Sequence, residues 1–114
     1  MHEIGLCESI LGAVTQRADG RRVNRVKVRI GVRHGVAEPA LKQGFALVAT
    51  GTTADGAEID MVTVPAHVAC AACGRHEQSL DMLPVCGHCG SADVVVTGGD
   101  DLILEELHVA DRTA

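Results

Sequence analysis

The chain has 114 residues, 46% of them hydrophobic but only 1% aromatic, and a formal net charge of −5 at pH 7. That length suits one domain, or one domain carrying a small insert, with an interior of aliphatic side chains around Phe45, the single ring. The acidic balance argues against a nucleic-acid partner. No run of about 18 apolar residues offers a membrane span, and no basic-then-apolar start suggests a secretion signal, so the expected location is cytoplasmic.

From Ile4 to Ala18, apolar side chains fall at Ile4, Cys7, Leu11, Val14 and Ala18, the three-and-four spacing of one helix face. Gly20 stops that helix, and Cys7 on its apolar face reads as a buried small hydrophobe. RVNRVKVRIGVR then alternates, with Val26, Val28, Ile30 and Val32 on one side and Arg25, Lys27, Arg29 and Arg33 on or near the other. This is the pattern of a half-buried strand. AEPALKQGFALVATG predicts a second helix, with Pro39 in its first turn, Gly51 past its end and Leu41, Phe45 and Val48 as its buried stripe. A strand is expected from Ala57 to Val64, closed by Pro65, and a third from Leu102 to Val109 after the GGDD turn.

Between Pro65 and Gly98 helical periodicity is lost, and cysteine, glycine and histidine (His67, His76, His88) become dense. A metal-built insert, rather than a domain held by an apolar core, is the expectation there. Charge is also uneven. Seven of the ten Lys and Arg residues lie between Arg17 and Arg33, while Glu58, Asp60, Glu105 and Glu106 crowd the other strands. Cross-strand ion pairing on a solvated sheet face is expected, and a docking surface for an acidic partner is compatible with it.

CAACG at Cys70 to Gly74 and CGHCG at Cys86 to Gly90 are two CxxCG units, with twelve residues between the inner cysteines. Thiolates two residues apart across a tight turn grip one tetrahedral ion, and the following glycine relaxes that turn. Cys70, Cys73, Cys86 and Cys89 therefore make a four-sulfur site suited to Zn(II), with two disulfides or a rubredoxin-like iron centre as rivals. Because protein fills all four positions, the zinc role is structural. His88, inside the second unit, is expected to face solvent or support a ligand without binding the ion. Five cysteines, an odd number, fit a reducing compartment.

The opening MHE offers a compact nitrogen set: the amine of Met1, the backbone nitrogens of His2 and Glu3, and the His2 ring. Ni(II) favours such tetragonal nitrogen donors, although a lone exposed histidine is ordinarily just solvated and the triplet by itself is weak evidence. No nucleophile–base pair stands out, and GTTADG lacks the lysine of a phosphate loop, so an enzyme is not expected.

MHEIGLCESIL at the start, RVKVRIGVRHGVAEPALKQGFALVATGT in the middle, the two CxxCG units and DDLILEELHV at the end resemble the HypA/HybF family, the nickel-incorporation proteins of nickel–iron hydrogenase maturation. The resemblance implies an α+β fold in which two helices pack on a small three-stranded sheet, with an inserted zinc-ribbon-like domain. Residues 1–65 plus 98–114 would form the nickel domain, and 66–97 the four-cysteine zinc domain. It further implies a metallochaperone that works with a HypB-type GTPase and the hydrogenase large-subunit precursor, with urease maturation proteins as further partners and a homodimer left open.

Carried over by position, Met1, His2 and Glu3 are the nickel group and the four cysteines the zinc group. Some relatives add an acidic residue before the second helix; the matching place here is Glu38, a glutamate instead of aspartate. The rival function is a zinc-ribbon module that binds nucleic acid or protein. Against nucleic acid, residues 66–97 hold one basic residue, Arg75, beside Glu77, Asp81 and Asp93, and no aromatic ring to stack a base.

Overall fold

The computed structural model describes the backbone from His2 to Ala110 and the side chains from Ile4 to Ala110. Along the chain run α1 (His2–Ala18), β1 (Val23–Gly31), a 3-10 turn (Val32–His34), α2 (Glu38–Ala49), β2 (Glu58–Val64), β3 (Ala66–Cys70), β4 (His76–Ser79), β5 (Val94–Gly98) and β6 (Leu102–Val109). Two three-stranded sheets result, ordered β2-β1-β6 and β4-β3-β5. The fold class is α+β, as the sequence predicts. The chain divides into two compact units, one of residues 1–28, 36–62 and 103–114, the other of 29–35 and 63–102. No helix among the described residues is long and apolar enough to cross a membrane.

The first unit is held by burial. Cys7, Ile10, Val14 and Ala18 of α1 and Leu41, Phe45 and Ala49 of α2 are buried, and the Cys7 thiol donates to the Leu41 carbonyl across 3.7 Å. Each large side chain removed from water in this way contributes about 1.5–3 kcal/mol. The α1 stripe sits slightly to one side of the expected one: Ile10 is inside, whereas Ile4 is 37% exposed and Leu11 half-buried. In α2, Val48 is half-buried and Ala49 takes the inner place. Small residues are poor periodicity signals, so the true stripe is harder to read than the large apolar one beside it.

On β1, Val23, Val26 and Val28 are buried and Arg25 and Lys27 face outward. Arg25 bridges Glu58 at 2.7 Å and Asp60 at 3.0 Å on β2, while Lys27 reaches Glu105 at 3.2 Å and Glu106 at 3.5 Å on β6. The hydrogen bond and charge of Glu105, then those of Glu106, raise the Lys27 pKa. At Arg25 and Lys27 the uneven charge read from the sequence resolves into cross-strand pairing on a solvated sheet face.

The second unit contains the end of β1. The predicted strand through Arg33 stops at Gly31, because Val32–His34 turn into a 3-10 helix. At Gly31 the backbone comes so close to Gly99 that an added Cβ would overlap the Gly99 carbonyl group. The Gly31 amide donates to Asp101 O at 2.8 Å and the Arg33 amide to Gly99 O at 2.8 Å. Only glycine permits this approach. Within the second sheet, β3 is central and antiparallel to both β4 and β5, with Val68 opposite Glu77 and Val96. These short strands fall in the stretch where the sequence shows a loss of helical periodicity and a metal-built insert.

Candidate metal centre

Each CxxCG unit folds into the same knuckle. Cys70 ends β3, and its carbonyl accepts from the Gly74 amide at 2.9 Å; the Cys86 carbonyl accepts from the Gly90 amide at 2.8 Å. Gly74 and Gly90 have φ of 77° and 75°, a left-handed turn that a side chain would oppose. In each knuckle the second cysteine's amide points at the first cysteine's sulfur: Cys73 N to Cys70 Sγ at 3.4 Å, and Cys89 N to Cys86 Sγ at 3.4 Å. Outer bonds close both turns, Cys70 N to Arg75 O at 2.8 Å and Cys86 N to Ser91 O at 2.9 Å.

The two knuckles bring all four sulfurs together. Cys70 and Cys89 Sγ are 3.7 Å apart, Cys73 and Cys86 Sγ 3.6 Å apart, and all four lie within 4.8 Å of one another. Zinc–sulfur bonds of about 2.3 Å in a tetrahedron place sulfurs about 3.7–3.8 Å apart. The cluster therefore fits a zinc site, and the pairs are too wide for sulfur–sulfur bonds, which need about 2.0 Å. Cys70 and Cys86 are buried; Cys73 and Cys89 are exposed. Among the described residues this is the one group of three or more His, Cys, Asp or Glu side chains poised to hold an ion.

The thiols are electrostatically unequal. Amide hydrogens of Cys89, then His88, aim at the Cys86 sulfur and hold its pKa down to about 6. For Cys73 the Arg75 amide works in the same direction, but desolvation and the neighbouring thiols Cys86, Cys70 and Cys89 push it up to about 12. Cys89 is also raised, by Cys70 and Cys86, against the pull of the Ser91 amide. Four thiolates this close repel one another, and a divalent cation removes that repulsion by binding the deprotonated forms.

A support that the cysteine spacing does not reveal is Glu77 on β4. Its Oε1 accepts from the Gly87 amide at 2.5 Å, tying the sheet to the second knuckle. His88 is exposed, with Nδ1 3.5 Å from Arg75 Nη1, and stands outside the sulfur cluster. Glu38 is exposed at the first residue of α2. Met1 and the side chains of His2 and Glu3 lie outside the described residues.

A family described as hydrogenase/urease nickel incorporation, metallochaperone, hypA matches residues 1–109. Hydrogenase maturation factor HypA of Rhodobacter capsulatus is 35% identical over 112 residues, spanning 96% of this chain and 99% of that one. Hydrogenase maturation factor HypA 2 of Bradyrhizobium diazoefficiens is 38% identical over 112 residues, with the same coverage. The solution structure of the Ni metallochaperone HypA from Helicobacter pylori superposes with a TM-score of 0.62 at 23% identity, covering 96% of this chain and 97% of that one, which supports the fold. With a family match across both the terminal helix and the sulfur cluster, the chain belongs to the HypA family of nickel-incorporation metallochaperones that act in hydrogenase maturation.

Proposed function

We propose that this protein carries Ni(II) on the amine of Met1, the backbone nitrogens of His2 and Glu3 and the His2 ring, with Glu38 as a candidate further ligand. Cys70, Cys73, Cys86 and Cys89 hold a structural Zn(II). On this reading residues 1–65 plus 98–114 form the nickel-binding domain and 66–97 the zinc domain. The observation that carries it is the family match over residues 1–109, which includes both the terminal triplet and the four clustered cysteines.

Nickel here is cargo and zinc a fixture. A carrier must outcompete water for its ion and still release it. A small, open set of nitrogen donors suits that task, whereas four converging thiolates hold an ion with no position left for exchange. Cu(II) stands above Ni(II) in intrinsic affinity for such nitrogen donors, so selectivity rests with partners and metal supply. The partners are a HypB-type GTPase and the hydrogenase large-subunit precursor, with urease maturation proteins as further clients. The protein performs no chemistry of its own, works in the cytoplasm and is compatible with a homodimer.

The test is a Ni(II) titration of zinc-loaded protein beginning at Met1, beside His2→Ala and a form extended before Met1. The reading expects at least tenfold weaker binding in both altered forms. Equal binding by all three contradicts it.

A further inference from the structure

His67 on β3 and His76 on β4 belong to neither set of ligands. His67 pairs across the sheet with Gln78, and His76 with Ala69, so the two rings stand diagonally on one face. Their facing nitrogens, His67 Nε2 and His76 Nδ1, are 3.1 Å apart, with ring centroids 5.3 Å apart and planes tilted by 37°. Both side chains are exposed. We propose that His67 and His76 form a further metal site, separate from the terminus and the four cysteines, that takes a divalent first-row transition ion.

The spacing supports this. Metal–nitrogen bonds of about 2.0–2.1 Å put two ligands about 2.9 Å apart at a right angle and about 3.4 Å apart in a tetrahedron. The observed 3.1 Å lies between these values. One ring now donates to the other. When that donor takes its other tautomer and the exposed rings tip so that their lone pairs converge, both facing nitrogens can bind a single ion. The strands fix the spacing, since β3 is hydrogen-bonded on both sides and cannot slide. Exposure leaves room for waters to complete the shell. Neutral imidazoles without thiolates suit nickel, copper or zinc and hold them loosely, as two donors must.

The inference does not rest on the terminal nickel set, and its test removes that set. Zinc-loaded full-length protein carrying His2→Ala is titrated with Ni(II), while NMR follows the histidine ring signals. The proposal expects the His67 and His76 rings to shift or broaden together, ahead of those of His34, His88 and His108. Adding His67→Thr or His76→Thr is expected to weaken that binding at least tenfold with the β3–β5 amide spectrum unchanged. Ring signals of His67 and His76 that stay still at saturating nickel overturn it, and so does equal binding with and without the pair. The parent titration alone decides the matter should a variant misfold.

Discussion

The two units of this chain are held together by different means. The first buries Phe45, Leu41, Val14, Val26 and Val28 and has an ordinary aliphatic core. The second also buries Ile30, Val32, Ala66 and Val68, but its β4 has no buried residue, and Leu80, Met82, Leu83, Val85 and Val95 are exposed. What draws its strands and knuckles to one point is the meeting of four sulfurs. A chain this small cannot give every segment a deep apolar core, and a metal ion takes over where the core runs out. One unit should therefore answer to cavity mutations and the other to chelation.

The largest effect expected is from losing the zinc ligands. Cys70→Ser, or a strong chelator, should abolish zinc binding and the hydrogen-exchange protection of β3, β4 and β5, while α1 and α2 stay protected; structural zinc contributes on the order of 10 kcal/mol to small metal-built domains. Loss of protection in both units together would contradict the comparison. Phe45→Ala should do the converse. It empties a fully buried site in the first unit and costs about 3–5 kcal/mol in thermal or urea unfolding, with zinc content unchanged.

Acid should act on the second unit first. Cys73, pushed up to about 12, must give up its proton each time an ion binds, so zinc affinity falls as pH falls. Competition with a chromophoric chelator from pH 8 to pH 6 checks the sign; a flat profile contradicts it. Glu77→Gln weakens the hold on the Gly87 amide and should cost about 1 kcal/mol of zinc-loaded stability, with little change in zinc stoichiometry. The smallest effect belongs to Arg25→Ala. The side chains of its two bridges are 43% to 71% exposed, so the loss should stay below about 1 kcal/mol and shrink further in salt.

How much of this is legible in the sequence follows the same division. Periodicity announces α1, β1 and α2, each of which buries an apolar face, while turns and Pro65 bound the stretches that become β2 and β6. On the helices its errors are of one kind: Ile10 and Ala49 lie inside, while Ile4 is exposed and Val48 half-buried. The four cysteines are legible from spacing alone, since a chelate needs that local geometry. Strands β3, β4 and β5 are not, being only four or five residues long and showing no clear alternation of apolar and polar positions. Nor can spacing reveal that His67 and His76 meet, because nine positions of separation acquire meaning only through the β3–β4 register. Glu77 bonding to Gly87 is hidden for the same reason.

X-ray absorption at both metal edges of protein loaded with one Ni(II) and one Zn(II) tests the division of labour most directly. The zinc edge should show four sulfurs at about 2.3 Å, and the nickel edge nitrogen and oxygen neighbours only. Sulfur around nickel, or nitrogen replacing sulfur around zinc, would contradict the account.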